Sequence, residues 1–139
     1  MSFVTTRLRD TTVDGAGTGG YVTIKATFAS DTATNLILDG HDLDGFANGA
    51  KLDLLRAWWS FSIGNYDTDN SNDCIIEFVS TGTDVVALHL SGTGHYDGTA
   101  GAIKGTAVNT TATSSDITAQ TKTTSGFVIL EFKKDGNYA

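Results

Sequence analysis

The chain has 139 residues, no proline, one cysteine and a formal net charge of −7, with a pI near 4.6. That length fits one domain, residues 1–139, and the acidic balance argues against binding a phosphate backbone, which needs clustered Lys and Arg. A lone Cys74 excludes an intrachain disulfide framework, no apolar run reaches membrane-spanning length, and the opening MSFVTTRLRD lacks the apolar stretch of a signal peptide.

Taken in order, residues 1–20 read as an extended N-terminal arm, or a first strand over 3–9, running into a glycine-rich loop, DGAGTGG. Residues 21–29 predict a strand, because Val22, Ile24, Ala26 and Phe28 alternate with Tyr21, Thr23, Lys25 and Thr27. A shorter strand follows at 35–39 and closes on Asp39-Gly40. Turn dipeptides Asp44-Gly45 and Asn48-Gly49 precede a long strand at 51–63. LDLLRAWW contains good helix formers, but the following WWSFSI favours extended backbone.

Residues 65–73 form a polar loop, 74–80 and 85–90 are strands, and a short strand is expected at 95–97. In the strand at 85–90, Val86, Leu88 and Leu90 form one face. Residues 108–115 are a low-complexity Thr/Ser/Ala loop, and strands return at 116–121 and 126–133. Threonine supplies about one residue in six, which suits extended backbone and the solvated side of a strand. The expected fold is all-β: an antiparallel β-sandwich, jelly-roll-like, of about eight strands.

Two strands carry apolar groups on both faces. If Leu55, Ala57, Trp59, Phe61 and Ile63 face the core, Trp58 lies on the polar side with Leu54, Arg56, Ser60 and Ser62. Phe127 and Ile129 likewise oppose Val128, Leu130 and Phe132. Such strands imply a partner surface, or a loop that covers the second face; both readings stay open.

Catalytic and ligand motifs are weak. Gly15, Gly17 and Gly20 spell a dinucleotide fingerprint, but a strand follows where a helix must. Asp67, Asp69, Ser71 and Asp73 have calcium-loop spacing, with Asn72 and Phe78 where the glycine and bidentate glutamate belong. A solvated turn is the favoured reading there, and equally for His41, Asp42 and Asp44. His89 and His95 flank a hairpin without completing a metal site. Glu77 and Glu131 read as outward, solubilising charges, and no nucleophile elbow occurs. No enzyme activity and no cofactor are expected. Trp58, Tyr66, Tyr96 and Tyr138 would be the aromatic platform of a carbohydrate-binding module, with core or interface packing the favoured reading of each.

The segments FANGAKLDLLRAWWSFSIG, IIEFVSTGTDVVALHLSGTGHYD and GFVILEFKK, in that order over residues 27–134, resemble small virion structural proteins of marine tailed bacteriophages. The resemblance implies a capsid decoration (cement) protein on the outer surface of a phage head, made in the host bacterial cytoplasm. Its partners would be the major capsid protein and copies of itself, with neither nucleic acid nor membrane involved. A tail, neck or fibre component is the alternative, and a carbohydrate-binding module the second. The interface residues expected on this reading are Arg7, Arg9, Trp58, Phe127 and Ile129. Arg7 and Arg9 would meet an acidic capsid surface or a neighbouring copy from an arm, residues 1–9, whose removal is expected to abolish capsid occupancy and leave the fold intact.

Overall fold

The computed structural model describes residues 3–11, 20–43, 46, 50–62, 73–79, 84–105 and 116–135. All-β antiparallel architecture is what it shows. The strands are β1 (Phe3–Asp10), β2 (Tyr21–Leu38), β3 (Lys51–Phe61), β4 (Cys74–Phe78), β5 (Val85–Leu90), β6 (Thr93–Tyr96) and β7 (Ile117–Asp135), with one 3-10 turn at Gly40–Asp42. They form one sheet of seven strands that curls into a half-barrel.

Among the described residues the strands number seven because two pairs of expected strands fuse. The segments 21–29 and 35–39 are both β2, and 116–121 and 126–133 are both β7. Polar residues between them looked like loops, yet the ladder runs on through Phe28↔Gly126, Asp31↔Thr124 and Ala33↔Thr121. Bulges at these pairs, with Ser30 at φ 49° and Gly126 at φ 137°, bend the strand pair without breaking it. Side chains stand in for the missing regular bonds: Ser125 Oγ accepts from Ser30 N–H at 2.8 Å, and Asp31 accepts from Asn35 Nδ2 at 2.6 Å and Thr121 Oγ1 at 2.5 Å. Asp31 and Thr124 are fully buried, so this polar stretch is interior.

The bent β2–β7 ladder, between strands far apart in the chain, is the spine of both halves. In one half the order is β1-β2-β7-β3-β6, with β3 along residues 126–135 of β7. In the other, β4 takes the same edge of β7 along residues 117–121, and β5 pairs β4. A single apolar cluster fills the inner face, drawing on Val22, Ile24 and Phe28 from β2, Leu54 and Phe61 from β3, Ile76 from β4 and Leu130 and Phe132 from β7. Each such side chain contributes about 1.5–3 kcal/mol on burial, so the alternating strands supply the main driving force.

Of the two readings of residues 3–9 the strand holds, and two expectations about alternation are corrected. β1 is a paired strand, joined to β2 from Phe3↔Phe28 to Asp10↔Val22, with the Phe3 ring 6.5 Å from Phe28. Residues 3–9 therefore cannot be removed at no cost to the fold. In β3, a bulge between Leu54 and Arg56 switches the alternation. Leu52 and Leu54 are buried before it, and Ala57 and Phe61 after it, so Leu54 joins the core while Leu55 is only half-buried. The extra residue is accommodated where Leu54 exchanges both backbone bonds with Ile103, at 2.9 and 2.8 Å. A similar bulge within β5, between Leu88 and Val86, leaves Val86 beside Glu77 and exposed, while Leu90 is buried.

Candidate functional site

Across the first half of the sheet, the register aligns outward side chains into rows. Trp58 stands opposite Ile129, which stands opposite Lys25 and then Thr6. The next row is Ser60, Phe127, Thr27 and Val4. On the other side of Trp58 the row is Arg56, Glu131, Thr23 and Arg9. Inward neighbours Val128, Leu130 and Phe132 are fully buried, so strict alternation fixes Phe127, Ile129 and Glu131 outward. Trp58 is 39% exposed and Val4 66%.

The charges on this face are held in place. Glu131 is the hub: its Oε1 accepts from Arg56 Nε at 2.8 Å and pairs Arg56 Nη2 at 2.7 Å, while Oε2 faces Arg9 Nη2 at 3.5 Å. Arg9 also lies over the Tyr21 ring at 4.9 Å, and Lys25 Nζ lies 5.4 Å from the Phe127 centroid. Glu131 is thus a positioning group for two guanidiniums, rather than the solubilising charge expected from its place in the strand.

Of the five residues expected at an interface, the structure gathers Arg9, Trp58, Phe127 and Ile129 on this one face and sends Arg7 elsewhere. Arg7 pairs in register with buried Ile24. Its Nη1 donates to the Asp42 carbonyl at 3.4 Å and lies 3.7 Å from Asp10 Oδ2. There it lines a cleft of about 210 Å³ with Thr5, Leu36, Asp39 and Asp42. Its work is to tie β1 to the 3-10 turn.

A second group of chemical side chains closes that turn. Asp39, His41 and Asp116 bring ligand atoms within 4.8 Å of one another. The sequence pointed to His41 and Asp42 but missed Asp116, which lies far along the chain and arrives because β2 and β7 end together at Leu38↔Ile117. Asp39 Oδ1 accepts from the His41 backbone N–H at 3.0 Å and faces His41 Nδ1 at 3.0 Å. Asp116 Oδ1 accepts from Gly40 N–H at 3.1 Å. All three side chains are engaged in holding the turn, and Phe46 packs on the imidazole at 4.4 Å between centroids.

The two carboxyls titrate in opposite directions. Burial disfavours the charged form of Asp39, but the His41 backbone and ring and the Asp116 carboxyl outweigh it and hold its pKa below the ordinary 3.8. Burial raises Asp116 above 3.8, against the Gly40 N–H and helped by the Asp39 charge. A lowered carboxyl stabilises the fold above its unfolded pKa, and a raised one gives stability that is lost as pH climbs through its folded value. Asp39→Ala should therefore cost about 1 kcal/mol at pH 7, as loss of a capping acceptor does. Asp116→Asn keeps an oxygen for Gly40 and should equal or slightly exceed the wild type at pH 7. That difference should vanish as pH falls below 3.8, which urea denaturation at several pH values will read.

Other expected sites are placed as follows. His89 and His95 do not meet, since β5 pairs β4 while β6 pairs β3, and Gly92 (φ 60°) carries the chain from one half to the other. His89 Nε2 lies 3.2 Å from Asp73 Oδ2, and His95 stands opposite Trp58. Residues 67, 69 and 71 of the calcium-like loop, Asp44, and Gly15 and Gly17 of the glycine fingerprint lie outside the described residues. Tyr96 packs against the core and donates its hydroxyl to the Gly101 carbonyl, while Tyr66 and Tyr138 lie outside the described residues. Of the described members of that aromatic set, Trp58 is the one on the outer face. Burial, with Asp31 nearby, pushes the Cys74 thiol up to about 12, which leaves it inert at neutral pH.

Neither a protein-family model, nor a curated protein, nor a solved structure matches this chain.

Proposed function

We propose that this chain is a virion structural protein, a capsid decoration protein that docks by its outer sheet face on a phage head, in contact with the major capsid protein and neighbouring copies. The observation that carries the reading is that exposed Trp58 stands beside half-buried Ile129 and Phe127 in adjacent rows of the outer sheet surface. An isolated exposed apolar residue is ordinary, whereas an indole, a phenyl ring and an isoleucine side by side form a patch of the kind that marks interaction sites. The sequence resemblance to small phage virion proteins supplies the kind of assembly. On this reading the curled sheet is a jelly-roll-like sandwich whose two halves share the β2–β7 spine.

A decoration protein uses many modest contacts multiplied by the symmetry of the shell, so one small patch per copy is enough. Quantitative mass spectrometry of the purified source particle tests the proposal. Copy numbers on the scale of the head lattice are expected. A few copies per particle would move the chain to the tail or neck, and its absence from washed particles would overturn the virion reading.

A further inference from the structure

The outer face is basic on an acidic protein. Four of the nine Lys and Arg residues, Arg9, Lys25, Arg56 and Lys133, alternate outward there, although the chain as a whole carries −7. Against them stands Glu131, with Asp97 at the end of β6 and Asp53 buried under Lys104 at 3.1 Å. From this we infer that the face recognises a carboxylate-rich patch on a partner protein, with Arg9 and Arg56 as its two pre-aimed forks and Trp58 and Ile129 as the apolar centre. The inference rests on the docking reading above and names the chemistry of its partner.

Three arguments select that occupant. An arginine carries five N–H donors, and Glu131 engages those of Arg56 through Nε and Nη2 and those of Arg9 through Nη2. The guanidiniums are thereby fixed in place with donors left over, at 49% and 44% side-chain exposure, and planar forks match carboxylates. Cations laid over Tyr21 and Phe127 are likewise held near the surface, which lowers the ordering cost of binding. A second copy meeting face to face would bring like charges together. A long polyphosphate is disfavoured by the net charge of −7 on the chain as a whole. A folded acidic patch with an apolar centre meets neither difficulty.

Full-length protein titrated with poly-L-glutamate at low salt, followed by amide and indole NMR, tests this. Resonance shifts should centre on Arg9, Arg56, Trp58 and Ile129. Arg56→Glu should weaken binding roughly tenfold through charge and fork together, and Lys25→Glu should act in the same direction. Lys122→Glu, a charge reversal of an exposed cation on the other half, should change binding by less than about twofold. Shifts centred elsewhere, equal losses from Lys122→Glu and Arg56→Glu, or tighter binding to duplex DNA would overturn the inference. Those outcomes need no particle, so they separate from failure of the virion reading. High copy number on the particle with no effect of Arg56→Glu on occupancy would sink the inference and leave that reading standing.

Discussion

Alanine at position 126 is expected to remove much of the protein's stability, lowering the unfolding free energy by about 3–5 kcal/mol. Gly126 sits where β7 leaves β4 and begins to pair β3, opposite Phe28 on one side and Phe61 on the other. Its φ of 137° lies where L side chains are strained, at about 1–3 kcal/mol. A Cβ there would also fall 2.1 Å from the Ser60 carbonyl oxygen and 2.8 Å from Phe61 Cα. Both obstacles are backbone, so no rotamer change relieves them and the β3–β7 ladder itself must open. Gly101 is the control, since its φ of 97° carries the same kind of strain with nothing within 4 Å of its would-be Cβ. Gly101→Ala should cost only about 1 kcal/mol. Urea midpoints of the two variants, followed by circular dichroism, decide the matter: equal losses would show that close approach at residue 126 contributes nothing.

The same hinge explains which parts of the fold could be read from the chain. Alternation is a local signal, and it located the residues of β4, β5 and the first half of β2 to within a residue or two. Strand continuity is not local. Asp31 looks like a loop residue until Thr121, distant in sequence, and Asn35 supply the partners that let it be buried. Bulges are equally silent, because one extra residue in β3 costs little locally yet reverses which of Leu54 and Leu55 is inside. The outer face was half legible. Odd-numbered Phe127 and Ile129 had to oppose the core, but the register placing Ile129 beside Trp58 and Glu131 between two arginines follows from pairing between distant strands. Arg7 and Arg9 show the limit most plainly. Two residues apart on one strand, they should share a face, and the bulge between them sends Arg7 to the 3-10 turn and Arg9 to Glu131.

Asp10→Ala is expected to destabilise the protein by about 3–5 kcal/mol, the cost of removing one partner from a buried ion pair. Lys134 continues the inward alternation of Leu130 and Phe132, so its ammonium ends fully buried, 2.5 Å from Asp10 Oδ1. Taking an ammonium out of water is expensive, and the carboxylate it touches offsets that cost. Lys134→Met should be milder, because the methionine keeps the apolar stem in the core and Asp10 retains 12% side-chain exposure and Arg7 at 3.7 Å. The double variant should then be more stable than Asp10→Ala alone, a strongly non-additive cycle of the kind that coupled charges give. Thermal unfolding of the four proteins measures it. An Asp10→Ala variant as stable as the wild type, or simple additivity across the cycle, would show that the Asp10–Lys134 contact does not hold β1 to the end of β7.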